Sequence, residues 1–98
     1  MNANRRAELL LKERRVIGED RFVEAVIWRL PERTPGSTHD FKYRLAFVVD
    51  EVCVVRFDNE AGKGDHQHVG GVETPYAFTT VDRLVSDFWQ AVEQWQRE

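Results

Sequence analysis

Residues 41–57 read FKYRLAFVVDEVCVVRF, and this stretch decides the fold. Phe41, Tyr43, Leu45, Phe47 and Val49 alternate with more polar or smaller residues, the period of a strand buried on one face. Val52-Cys53-Val54-Val55-Arg56-Phe57 is a return strand. Asp50-Glu51 is a two-residue turn between them, although Glu is a poor choice where a positive φ is required. A two-residue loop sets Val49 opposite Val52. Tyr43 then faces Asp58, Arg44 faces Phe57 and Lys42 faces Asn59.

Upstream, residues 21–30 form a second strand. Val23, Ala25 and Ile27 point one way and Phe22, Val26, Trp28 and Leu30 the other, so apolar residues on both faces indicate a central strand. Pro31, Pro35, Gly36 and Ser37 mark a loop of about ten residues. Residues 5–17 are ambiguous. Ala, Glu, Leu, Lys and Arg favour helix, yet Ala7, Leu9 and Leu11 also alternate, and Val16-Ile17-Gly18-Glu19-Asp20 suits a strand end and turn.

Downstream, glycines at 62, 64, 70 and 71 punctuate a loop with a short strand around His66–Val69. Val81, Leu84, Val85, Phe88, Val92 and Trp95 then share one helical face. Thr79 or Thr80 caps that helix, and Asp82 follows Thr79 at capping-box spacing. The expected fold is α+β, mainly an antiparallel β-meander of four to five strands with one C-terminal helix packed on one face.

The 98 residues fit a single domain, 1–98, and the 11 aromatics suffice for one core. One cysteine, Cys53, excludes an internal disulfide and reads as a small buried hydrophobe. The charged N-terminus lacks the apolar stretch of a secretory leader, and no run spans a bilayer, so a cytoplasmic protein is expected. Residues 1–44 carry +3 and residues 45–98 carry −6, which argues against a globally basic nucleic-acid footprint. Trp28, Trp89 and Trp95 read as core or interface rings.

Chemistry concentrates in Phe57–His68, FDNEAGKGDHQH. His66 and His68 are two apart, so both rings share one side of an extended chain. His serves as acid or base near neutral pH. Asp58, Glu60 and Asp65 are candidate orienting groups. Lys63, with Lys42 and Arg44 from the neighbouring strand, can hold a phosphate. Such a set suits RNA cleavage without a metal or other cofactor. The alternatives are a solvated turn, or a metal site built from His66, His68, Asp65 and His39, although no familiar zinc spacing is present.

The pattern resembles the TumE-type family of small bacterial proteins, described as toxins of type II toxin–antitoxin pairs. Similarity runs from about Ala7 to Trp95. Its most specific piece is the family motif Tyr-Asp-Asn-Glu-x-x-Lys-Gly-Asp-His-Arg-His, matched by Phe57 to His68. A second piece is a Lys-Tyr-Arg stretch after a His, matched by His39 and Lys42-Tyr43-Arg44. Phe57 replaces the Tyr, and Gln67 replaces the Arg, which removes a candidate phosphate ligand. The resemblance implies a cytoplasmic toxin held by a cognate helix-turn-helix antitoxin, and it favours a strand over residues 6–17. RNA and a second copy of the chain are further candidate partners, and His39, Tyr43 and Asn59 complete the candidate substrate-binding set. The resemblance names no reaction; the residues themselves suggest a metal-independent ribonuclease, and the acidic balance of residues 45–98 a non-enzymatic module that blocks a cellular partner.

Overall fold

A computed structural model describes residues 6–33, 35–60 and 62–98. Ala61 of the motif and Arg5 of the ambiguous first segment lie outside the described residues. The strands are β1 (Glu8–Gly18), β2 (Arg21–Arg29), β3 (Phe41–Val49), β4 (Val52–Glu60), β5 (Gly64–Val69) and β6 (Val72–Pro75), followed by α1 (Val81–Arg97). They form one antiparallel sheet in chain order, β1 to β6.

The sheet therefore has six strands, one more than the upper end of the expectation. The addition is β6, four residues that end in Pro75 and lie at an edge, where a missing N–H costs no ladder bond. The first segment is strand, its helix propensity overridden by pairing with β2 along its length. Leu10 and Ile17 are extra residues in β1, and each shifts the register by one.

The β3–β4 turn is the two-residue turn expected, with positive φ at both Asp50 (50°) and Glu51 (67°). Val49 does face Val52, but Val54 is an extra residue on β4 that moves every later pairing. Arg44 faces Asp58 and Leu45 faces Phe57, so the pairings expected from an unbroken ladder are one residue out.

Helix α1 lies across one face of the sheet. Leu84, Phe88 and Val92 meet Val23, Ile27, Leu45, Phe47, Val55 and Phe57, all nearly free of solvent. Phe57 sits edge-on to Phe88 and Tyr76. Trp95 stands edge-on to Phe47, and Trp89 packs at the border of the same core. Thr80 is the cap, its hydroxyl accepting from Arg83 N at 3.1 Å, so the Thr79–Asp82 box is not the one used. Cys53 departs from expectation: it is exposed on the opposite face of the sheet.

The 31–40 loop folds back on the β4–β5 turn. Gly62 N donates to Pro35 O at 2.7 Å, and Leu30 N donates to Asp40 O at 2.7 Å. Gly36 makes this approach possible. Its φ is +85°, and a Cβ there would meet Gly62 Cα at 3.1 Å.

Candidate active site on the open face of the sheet

Side chains alternate across a sheet, and β4 and β5 use that alternation to divide the motif. Asp58 pairs with His66, and Arg56 with His68; all four project from the face without a helix. Asn59 pairs with Asp65, and Phe57 with Gln67; these four project toward the helix side.

On the open face the two histidines have opposite hydrogen-bonding roles. His68 Nε2 lies 2.9 Å from Arg56 Nη2. A guanidinium only donates, so His68 Nε2 carries a lone pair. His66 Nε2 lies 2.8 Å from the Lys63 carbonyl oxygen, which only accepts, so His66 Nε2 carries a proton. Its Nδ1 is 3.3 Å from Glu73 Oε2, which also lies 3.7 Å from His68 Nε2. Arg56 Nε approaches Asp58 Oδ2 at 3.2 Å but is screened from solvent without an aligned hydrogen bond, so that contact is coulombic. Both rings are roughly a quarter exposed and reachable. One ring thus accepts and its neighbour donates, with a guanidinium between β4 and the acceptor.

The helix side carries a different construction. Tyr43 OH donates to Asp65 Oδ2 at 2.6 Å, and His39 Nε2 meets the same oxygen at 2.8 Å. His39 Nδ1 accepts from Phe41 N at 3.1 Å, so Nε2 bears the proton and the ring is neutral. The ring lies 3.9 Å from that of Phe78. No nitrogen of His39 is left for substrate, and the His39 and Asp65 side chains are each 9% exposed. Burial, and then the bond to Asp65, push the Tyr43 phenol well above its ordinary pKa of 10.0. Asn59 completes the clip. Its Oδ1 accepts from Tyr43 N at 3.0 Å, and its Nδ2 donates to Phe41 O at 2.8 Å, replacing ladder bonds beyond the end of the regular β3–β4 pairing.

The family model described as Toxin TumE matches residues 6–96, a span that includes every strand and nearly all of the helix. The chain belongs to the TumE toxin family. Membership makes it the toxin of a toxin–antitoxin system and implies a cognate antitoxin. No curated protein and no solved structure matches the chain. Among the described residues, no helix is long and apolar enough to cross a membrane.

The two departures from the TumE motif fall away from the open face. Phe57 is a core ring, 1% exposed, where a hydroxyl would need its own partner. Gln67 points to the helix side and donates to Thr74 Oγ1 at 3.2 Å, so the missing Arg does not deplete the histidine face.

Of the candidate residues, the open face gathers His66, His68, Asp58, Lys42 and Arg44. Lys63 is exposed at the turn, 3.7 Å from Glu60 at the end of β4, and it supplies the carbonyl that fixes His66. Asp65, Tyr43, Asn59 and His39 lie on the other side of the sheet. The metal alternative fails on this point, because His66 and His68 are separated by the sheet from His39 and Asp65. Among the described residues no group of three or more His, Cys, Asp or Glu side chains converges as a metal site. Sequence reasoning missed Arg56 and Glu73. Folding β5 back on β4 through the Gly62–Gly64 turn, and β6 on β5 through Gly70–Gly71, brings each opposite His68. Trp28, read as a core or interface ring, is outside the core: it lies half-buried on the open face, opposite Lys42.

Proposed function

We propose that the toxin activity is metal-independent cleavage of RNA on the open face. The observation that carries this reading is the opposed state of the two rings: His68 offers a lone pair while His66 holds a proton. His68 Nε2, released from Arg56, takes the proton from a ribose 2′-hydroxyl, and the 2′-oxygen attacks the adjacent phosphorus. Doubly protonated His66 gives a proton to the departing 5′-oxygen, leaving a 2′,3′-cyclic phosphate and a free 5′-hydroxyl. Arg56 turns to the phosphorane oxygens with Arg44 and Lys63 as further cations. Asp58 holds the Arg56 side chain, Arg56 orients the His68 ring, and Glu73 stands beside His66 Nδ1.

Purified protein should cleave RNA in EDTA and yield cyclic-phosphate ends. His66→Ala and His68→Ala should each remove that cleavage while remaining folded. Cleavage that survives in both variants sinks the assignment.

A second reading has its own support. Asp58, Glu60 and Glu73 put three carboxylates near the histidines, which disfavours a polyanion. A non-enzymatic module that blocks a protein partner through this face predicts growth arrest that persists in His66→Ala and His68→Ala.

A further inference from the structure

One row of side chains crosses the sheet at right angles to its strands. Lys12, Val26, Arg44, Asp58 and His66 are successive cross-strand partners on β1 to β5. Four interstrand steps of about 4.8 Å place Lys12 roughly 19 Å from His66. In the next row toward the strand ends, Trp28 faces Lys42.

Charge on this face is divided. Arg14 is held by Glu24 at 3.0 Å and Arg56 by Asp58. Lys12, Lys42 and Arg44 are exposed, and among the described residues they have no ion-pair partner. The three unpaired cations surround an apolar floor. A hollow of about 320 Å³ lies between Trp28, Val26, Lys42, Arg44, Asp58 and Glu60. A second, of about 560 Å³, opens between Lys12, Arg14 and Arg44 over Val26 and Ala46.

We infer that this half of the open face is a track for single-stranded RNA. The strand runs from the histidine pair across β3 and β2 to β1, an unpaired base stacks on Trp28, and Arg44, Lys42 and Lys12 hold phosphates along it. Its direction rests on the ribonuclease reading above. Cations spaced along a floor that holds an aromatic ring are the recurring means of holding a single strand. A duplex fits poorly. The deep, narrow major groove of A-form RNA admits no flat sheet, and a paired base cannot leave its stack to reach Trp28. The span of roughly 19 Å matches about six nucleotides at the ~3.4 Å spacing of a stacked strand, and fewer when the strand is extended.

The test is fluorescence anisotropy with a labelled 2′-O-methyl 12-mer, which binds but cannot be cleaved, against the corresponding duplex. The single strand should bind at least about 10-fold tighter, a gap set by access to one stacking ring. The triple variant Lys12→Ala/Lys42→Ala/Arg44→Ala should lower the slope of log affinity against log salt by about 2, from three lost contacts at ~0.7 each. Trp28→Ala should weaken binding roughly 10-fold with the slope unchanged. Circular dichroism and urea unfolding establish that the variants are folded, and the single variant Arg44→Ala, with an expected slope change of about 0.7, replaces the triple one if it is not. Equal binding of strand and duplex overturns the track, as does a wild-type slope in the cation variants. Absence of oligonucleotide binding, with antitoxin binding lost in the same variants, also overturns it and makes the face a protein surface. Binding with these signatures but no cleavage of unmodified RNA supports the track and overturns the ribonuclease reading.

Discussion

Asp65 and His66 share a peptide bond and face opposite sides of the sheet. Asp65 anchors Tyr43 and His39 inside the fold, whereas His66 stands in the open beside Glu73. The same alternation along β4 sends Asn59 inward and Asp58 outward. Neighbouring motif residues therefore face the helix side and the open side in turn.

Substitution should separate the two. Asp65→Ala leaves the Tyr43 hydroxyl and the His39 N–H buried without an acceptor, at about 1–3 kcal/mol each. Its urea midpoint should fall with the slope unchanged. His66→Ala should stay within about 1 kcal/mol of wild type, as a partly exposed position does. Equal midpoints for the two variants would refute the division of faces.

Alkaline pH provides a second test. Tyr43 and Tyr76 both have phenols raised above 10.0, each first by burial and then by a hydrogen bond to a carboxylate, Asp65 or Asp87. Below pH 10 both phenols are protonated in the folded and unfolded chain, so their stabilising effect is whole. Above it the unfolded chain loses protons that the folded chain keeps, and stability falls as pH rises. Tyr43 alone contributes about 1.4 kcal/mol of loss per pH unit in that range. Urea midpoints measured from pH 9 to 11.5 should drop, and Tyr43→Phe/Tyr76→Phe should flatten the trend. Parallel profiles for the two proteins count against the buried phenols.

The β3–β4 turn makes a third prediction. Glu51 holds a φ of 67°, which costs a residue with a Cβ about 1–2 kcal/mol. Glu51→Gly should raise the melting temperature by several degrees, at about 4–8 °C per kcal/mol for a chain of this size. An unchanged or lower value by calorimetry would show that the turn is unstrained.

Much of this architecture is legible in the sequence. Alternation in 41–49, helical spacing in 81–95 and the glycine punctuation specify the meander and the covering helix. What pattern cannot reveal is an inserted residue: Val54 is apolar like its neighbours, yet it displaces Arg44 from Phe57 to Asp58. Cys53 precedes that bulge and faces outward, so apolar company misled about its burial. Arg56 was hidden as well, because a lone arginine in a hydrophobic strand gains meaning only when β5 brings His68 across from it. The candidate residues share one segment of the sequence, but the fold divides them between two faces of the sheet. His39, Tyr43 and Asp65 are polar in sequence, and only tertiary contact shows every nitrogen of that histidine engaged.

Strand order that repeats chain order has a temporal consequence. During translation each strand can join the sheet as it emerges, with no wait for a distant partner. Strands β1 to β3 are then complete before the histidines of β5 leave the ribosome. At about 5–20 residues per second, the nascent chain spends seconds as a half-sheet before Asp58 and Arg56 of β4 gain His66 and His68 as neighbours.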